Sequence, residues 1–316
     1  MKVVVTGGAG FVGSNLSRNL ISRGHEVIII DDLSTGLLDN VPKGVEFIKS
    51  SVLDKNLISK VISGSEVVVH LAARGSVPRS IKNPVATHEV NSTGTLSILE
   101  CARAANAHFI FSSSSSVYGA NTTLPKTEEM VLKPLTPYAA SKMAGEALSL
   151  AYANSYELQV TTFRFFNIYG PWQRPDHQYA AVIPKWIWQA INGEEIVVYG
   201  DGEQTRDFTS VSTVVEILTS TLENKFCHPQ PINLAFGNRI SLNEVLENLK
   251  VHFQNIRVNY VEARSGDVKD SQNQPDLVNS YFPKIKPKEF QDGLLETIDW
   301  LIANSNRITN GPMAPN

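Results

Sequence analysis

The sequence predicts an α/β protein: a doubly wound parallel sheet followed by a smaller C-terminal α/β lobe. Three observations predict it. Short β-branched runs alternate with helical stretches through the first two-thirds of the chain; those runs are continuously apolar; and a glycine-rich turn joins the first run to the first helical stretch. Continuous apolar strands are those buried on both faces, as in parallel sheets, and parallel strands need helical crossovers.

In chain order, the strand candidates are Lys2–Thr6, Glu26–Asp31, Glu46–Lys49, Glu66–Leu71, His108–Ser112 and Gln159–Phe165. The helical segments between them are Phe11–Ser22, Leu57–Ser63, Pro84–Ala105 and Pro137–Ser155. After Asn167 the texture changes to a turn-rich stretch, Tyr169-Gly170-Pro171-Trp172. A helix over Ala180–Ile191, a strand over Ile196–Tyr199, a helix over Val211–Leu222 and a strand over Pro231–Leu234 follow, the last returning to the main sheet. The expected division is a nucleotide-binding domain over 1–167 with a returning segment near 205–235. A second lobe spans 168–204 and 236–303, and 304–316 forms a flexible polar tail.

The chain has 316 residues, enough for two domains or one enlarged α/β unit. Its 28 basic and 31 acidic side chains give a net charge of −3, leaving no excess to grip a phosphate backbone, so nucleic acid is not an expected partner. Cys101 and Cys227 are far apart in sequence and offer neither a disulfide framework nor a CxxC metal motif. His25, His88, His108, His177, His228 and His252 lack paired metal spacing, so no metal is expected. His70 ends a buried strand and reads as a satisfied core or cofactor-side histidine. The apolar runs fall short of the roughly 20 residues of a membrane helix. No apolar leader with a small-residue cleavage site precedes the first strand, and a cytoplasmic location is expected.

Gly7, Gly10 and Gly13 space a G-x-x-G-x-x-G turn between strand and helix. Such turns let backbone amides approach a pyrophosphate at the positive end of a helix, the phosphate-binding device of a Rossmann-type sheet. Asp31 and Asp32 end the second strand, where a carboxylate accepts hydrogen bonds from an adenosine ribose. A carboxylate there repels the extra phosphate of NADP, so NAD is the expected cofactor.

Tyr138 and Lys142 stand four apart in a helical segment and share a face. A phenol must lose about 3 pKa units to act as a base near neutrality, about 4 kcal/mol of differential stabilisation. A neighbouring lysine cation and the positive nicotinamide of NAD+ both favour the phenolate. The run Ser112–Ser116 follows the fifth strand, at the edge where α/β sheets place ligands, and offers a hydroxyl for the same substrate oxygen.

Together with His70-Leu71-Ala72-Ala73 and Val117-Tyr118-Gly119, these motifs resemble the extended short-chain dehydrogenase/reductase family. Within it, the chain is similar to nucleotide-sugar 4-epimerases of the UDP-glucose/UDP-N-acetylglucosamine type, over nearly the whole length to about Gly293. Asp31-Asp32-Leu33-Ser34-Thr35-Gly36, Val77-Pro78-Arg79-Ser80 and Tyr199-Gly200-Asp201-Gly202 through Phe208 are typical of that group, as is Arg264-Ser265-Gly266-Asp267 apart from Ser265. The resemblance implies that Phe11 and Val12 present amides to the pyrophosphate. Asp31 holds the ribose, and Leu71, Ala72, Ala73 and Asn91 lie along the cofactor. Asp32, Leu33, Ser34, Thr35, Gly36, Val52 and Phe166 complete its site. Ser51 stands where the family often has an aspartate that touches adenine. Counting back from Val117-Tyr118-Gly119, the catalytic hydroxyl matches Ser114, with Ser113 and Ser115 within loop-length variation.

The resemblance further implies a UDP-sugar substrate. Asn167, Arg206 and Arg264 match residues that hold its diphosphate, Tyr199 matches an aromatic that stacks on uracil, and Val182 lies beside the uridine. Ser76, Asp267 and Ser271 join that site, Ser271 at the position that limits the C2 substituent. A small residue there leaves room for an N-acetyl group. Dehydratases and decarboxylases of the family carry an acid just before Val-Tyr-Gly, where this chain has Ser115 and Ser116. Serine titrates too high to drive elimination of water, so the implied chemistry is 4-epimerisation with retained NAD. UDP-glucuronate 4-epimerisation, or another nucleotide-sugar oxidoreductase of the same family, is the alternative. Helices Pro84–Ala105 and Pro137–Ser155 match those that form a homodimer's four-helix bundle.

Overall fold

The computed structural model describes residues 1–176, 180–263, 269–305 and 308. The chain forms two compact units. The first comprises Met1–Thr122, Glu128–Phe165 and Val215–Leu234, and the second Thr123–Thr127, Phe166–Val214 and Ala235–Asn316.

The first unit is built from β1 (Lys2–Thr6), α1 (Phe11–Ser22), β2 (Glu26–Asp31), β3 (Glu46–Lys49), α2 (Lys55–Ile62) and β4 (Val67–His70). It continues through α3 (Val77–Lys82), α4 (Pro84–His88), α5 (Gly94–Ala105), β5 (His108–Ser114), α6 (Pro137–Tyr156) and β6 (Val160–Phe165). The second unit contributes β7 (Asn167–Tyr169), α7 (Val182–Ile191), β8 (Ile196–Tyr199), β9 (Thr205–Arg206) and β10 (Phe208–Ser210). Helix α8 (Val211–Glu223) leads back to β11 (Ile232–Leu234) in the first unit. Then β12 (Ile240–Ser241), α9 (Leu242–His252), β13 (Val258–Val261), α10 (Asp276–Tyr281) and α11 (Phe290–Ala303) follow.

One seven-stranded parallel sheet runs in the order β11-β6-β5-β4-β1-β2-β3. The order reverses direction on either side of β1, so a crevice opens beyond the carboxyl ends of β1 and β4. Strands β1 and β4 are almost wholly buried, which explains why each carries a run of three valines rather than an alternating pattern. One core packs Val4, Ile30, Val68, Phe109 and Phe111 against α2, α5 and α6. The second unit has a core of its own, in which Tyr169, Trp186, Phe208, Leu246, Phe290 and Leu294 meet.

Helix α3 is absent from the sequence reading; it is only six residues long, too short for an apolar stripe to declare itself. The stretch Pro84–Ala105 is helical but not regular. A five-residue π turn, Glu89–Thr93, separates α4 from α5 and contains the buried Asn91. Beyond Ala303 the Ile308 amide donates to the Asn304 carbonyl at 3.1 Å. Residues 306, 307 and 309–316 lie outside the described residues. No helix among the described residues is long and apolar enough to cross a membrane.

Candidate active site

The turn after β1 packs directly on the loop after β4. Gly7 has φ +72°, and a Cβ there would lie 2.7 Å from the Ala72 amide nitrogen, so only glycine fits. The Gly10 N-cap then opens α1, leaving the first amides of that helix free of intrahelical partners. At the end of β2, the buried Asp31 accepts from the Ala9 amide at 3.0 Å and the Leu33 amide at 2.8 Å. Burial raises its pKa, opposed by those two backbone bonds. The carboxylate thus ties the glycine turn to β2 while keeping lone pairs available for hydroxyl donors.

These loops line a cleft open to solvent. Of the expected cofactor residues, Gly7, Gly10, Asp31, Asp32, Ser34, Thr35, Val52, Leu71, Ala72 and Ala73 line it. Ile30, Ser50, Arg74 and Val90 line it too; Ser50 belongs to the Ser50-Ser51 pair that stands where the family often has Gly-Asp. The lining serine is Ser50; the Ser51 hydroxyl accepts from the Leu53 amide at 3.2 Å. Phe11, Val12 and Gly13 form the first turn of α1. Leu33 and Gly36 support Asp31 rather than line the cleft, Gly36 packing against its carboxylate and Ala9. Asn91 is buried and committed: Oδ1 accepts from the Arg74 amide at 2.7 Å, and Nδ2 donates to Ser141 Oγ at 2.9 Å. It shapes the Arg74 loop and anchors α6.

His70 is neutral and part of the core. Its Nδ1 meets Thr6 Oγ1 at 2.7 Å and its Nε2 meets Thr95 Oγ1 at 2.9 Å. Thr95 spends its own proton on the Asn91 carbonyl, so His70 carries its proton on Nε2 and Thr6 donates to Nδ1. Burial, helped by the Lys142 charge, pulls its pKa to about 3.

Helix α6 carries the predicted catalytic pair. Thr136 caps its start, accepting from the Ala139 amide, and Pro137 occupies its first turn, which fixes where Tyr138 emerges. Gly145 lets the helix lie against Phe111: a Cβ there would stand 2.5 Å from the ring. Lys142 is buried, donates from Nζ to the Ser112 carbonyl at 2.7 Å, and lies 5.2 Å from the centre of the Phe111 ring. Burial lowers its pKa to about 7.

Tyr138 is half-buried and hydrogen-bonded to Ser114, while Ser113 turns its hydroxyl to Glu146 at 2.7 Å. Of the serines left open by the sequence, Ser114 is therefore the one beside the phenol. Burial pushes the Tyr138 pKa up, with the Ser114 bond opposing. Within the protein alone burial outweighs that bond, and burial likewise draws Lys142 towards neutrality.

The remaining substrate candidates fall on the second unit, Ser76 excepted. Ser76 caps α3 through a bond from the Arg79 amide. Asn167 stands opposite Phe208 in the β7–β10 pair, and Arg206 opposite Ile240 in β9–β12. The Ser271 amide donates to the Thr205 carbonyl at 3.1 Å, which places Ser271 beside the Arg206 strand. Tyr199 ends β8, paired with Val261. Val182 opens α7, and Phe166 is buried just before β7. Arg264 and Asp267 lie outside the described residues. Among the described residues, no cluster of three or more His, Cys, Asp or Glu could hold a metal.

A parallel sheet with a glycine turn at its switch point, and a tyrosine–lysine helix beside a serine strand end, defines a dinucleotide-dependent enzyme acting on a hydroxyl or carbonyl. The model of the NAD dependent epimerase/dehydratase family matches residues 3–235, and the chain belongs to that family. A putative UDP-glucose 4-epimerase of Methanocaldococcus jannaschii is 34% identical over 311 residues, covering 96% of this chain and 99% of the relative. A UDP-N-acetyl-alpha-D-glucosaminuronate decarboxylase of Bacillus cytotoxicus is 34% identical over 321 residues, with 95% and 97% covered. The solved UDP-N-acetylglucosamine 4-epimerase of Methanobrevibacter ruminantium, in complex with UDP-N-acetylmuramic acid, superposes with a TM-score of 0.90 at 36% identity, over 96% of this chain and 98% of that one.

NAD is the cofactor. The cleft fits it: Gly7 and Gly10 of the glycine turn line it beside the start of α1, together with the Asp31 carboxylate that the Ala9 amide ties to that turn.

Proposed function

We propose that this enzyme is a UDP-sugar 4-epimerase that interconverts UDP-GlcNAc with UDP-GalNAc and UDP-glucose with UDP-galactose through a 4-keto intermediate. The observation that carries the reading is the Ser114–Tyr138 hydrogen bond, one turn before the buried Lys142. Tyr138 takes the proton of the C4 hydroxyl, and Ser114 holds the same oxygen. The glycine turn and Asp31 would hold NAD, which would supply a reversible hydride acceptor for C4. The proton on Tyr138 goes back to the sugar oxygen in the second half, so neither acid nor base is consumed overall. Lys142, with a pKa of about 7, exchanges protons readily at neutral pH and holds the Ser112 end of the serine run in place.

Ser115 and Ser116 support epimerisation over elimination or decarboxylation, since no carboxylate precedes Val117 to act as the extra acid or base. Asn167, Tyr199, Arg206 and Arg264 would hold the UDP moiety, with Asp267, Val182 and Ser76 around it. Firm binding of the nucleotide leaves the keto sugar free to turn over before hydride returns. The small Ser271 leaves space at C2 for an N-acetyl group.

The test is an NMR assay of the anomeric protons of UDP-GlcNAc and UDP-glucose with purified protein and no added NAD. Conversion to the galacto forms, abolished in Tyr138→Phe, is expected. Failure on both sugars with NAD supplied, and turnover of UDP-glucuronate instead, would move the substrate to the uronate.

A further inference from the structure

The strand that carries Ser114 is held from beneath by a buried charge pair that the reaction as described leaves idle. Glu146 lies one turn beyond Lys142 on α6 and pairs with Arg164 of β6; both side chains are about 5% exposed or less. Glu146 Oε1 accepts from Arg164 Nη2 at 2.6 Å, and Oε2 accepts from Arg164 Nε at 3.0 Å. Oε2 also accepts from Ser113 Oγ at 2.7 Å. Ser113 and Arg164 are direct cross-strand partners, so the carboxylate closes a three-sided clamp over one rung of the sheet. On its far side, Arg164 Nη1 donates to Tyr118 Oη at 2.8 Å and to the Glu128 carbonyl at 3.0 Å. Tyr118 Oη in turn donates to Asn233 Oδ1 at 2.7 Å.

We propose that Glu146 and Arg164, acting through Ser113, are positioning residues that set the Ser114 hydroxyl against Tyr138; the inference rests on the epimerase reading of those two residues. Three successive turns of α6 grip three consecutive residues of β5. Tyr138 bonds Ser114, Lys142 bonds the Ser112 carbonyl, and Glu146 bonds Ser113. Ser114 therefore sits between two anchored points, Ser113 bonded to Glu146 and Tyr118 bonded to Arg164, the two halves of one ion pair. A buried ion pair adds little net stability over apolar residues of the same volume, since desolvation offsets the attraction. What it supplies here is a fixed geometry: a bidentate fork tolerates little sliding of β5 relative to α6. The Ser114 bond is what opposes the upward push on the Tyr138 pKa. If Ser114 loosens, the phenol loses that support and titrates higher.

Ser113→Ala cuts the link and leaves the ion pair whole, so the protein should fold; Ser113→Thr keeps the hydroxyl. Each is compared with the wild type as NAD-containing holoenzyme, by kcat and KM against pH. The Tyr138 phenolate is followed separately, as the absorbance difference between each protein and its counterpart carrying Tyr138→Phe. The expected result for Ser113→Ala is a fall in kcat of about tenfold with KM within about twofold. The acid limb of the kcat profile and the phenolate midpoint should both move to higher pH, and Ser113→Thr should restore both. A purely structural role would lower stability without moving either midpoint. Unchanged kcat and midpoints in Ser113→Ala, or no rescue by Ser113→Thr, overturns the proposal. If the wild type turns over no UDP-sugar, the epimerase reading fails on its own, and the phenolate midpoint still decides the positioning role.

Discussion

Lys142 reaches the Ser112 carbonyl and is drawn by burial to a pKa of about 7, while Tyr138 is pushed upward. Neither shift is legible in a Y-x-x-x-K spacing, which tells only that the two share a face. The serine run was equally ambiguous as text. Three of its hydroxyls go to three different places: Ser112 to the His70 carbonyl, Ser113 to Glu146 and Ser114 to Tyr138. Only packing sorts them. Ser51 reads as a cofactor contact by position; its neighbour Ser50 lines the cleft, while the Ser51 hydroxyl accepts from the Leu53 amide. Ser271→Tyr should cut turnover of UDP-GlcNAc by about tenfold or more while sparing UDP-glucose, since filling a pocket discriminates by size at the C2 group. Equal losses on both sugars, measured side by side as kcat/KM, would remove Ser271 from the substrate pocket.

The elements of the first unit were legible because each parallel strand is buried on both faces and each turn has its own residue chemistry. In the second unit the strands are two to four residues long and pair in twos, so periodicity has little to act on. What organises them is a clasp. Asp207, wholly buried between β9 and β10, accepts from the Gly237 and Asn273 amides, both at 2.9 Å. Burial raises its pKa from 3.8 to about 6, against those backbone bonds. A carboxyl raised on folding contributes stability that is full below its unfolded pKa and is lost as pH climbs through the folded one. The stability advantage of the wild type over Asp207→Asn should therefore shrink by about 2 kcal/mol between pH 4 and pH 7. Urea unfolding at the two pH values checks it, and a constant difference would show that Asp207 titrates normally.

For the molecule as a whole, Val85 on α4, Leu96 on α5 and Met143 on α6 are 66%, 38% and 37% exposed, on the helices that the family resemblance assigns to a subunit interface. We propose that a homodimer formed through these helices covers them. Sedimentation velocity at micromolar concentration should give a dimer, and Val85→Glu with Met143→Glu should give a folded monomer; a monomeric wild type would exclude the assembly. A single sequence carries such a face only as apolar positions on a helix, indistinguishable from core until the fold shows which of them lack a neighbour.

The seventh strand is threaded late. After β6 the chain leaves the first unit at Phe165 and returns only at Val215, so β11 joins the sheet after 66 intervening residues, 166–231. During synthesis β6 is an open edge until Leu234 has left the ribosome, an unpaired template for other nascent chains. The same strand brings Asn233 to Tyr118. The last rung to dock is thus also the one that finishes the support beneath the serine run, which ties competence for chemistry to completion of the sheet.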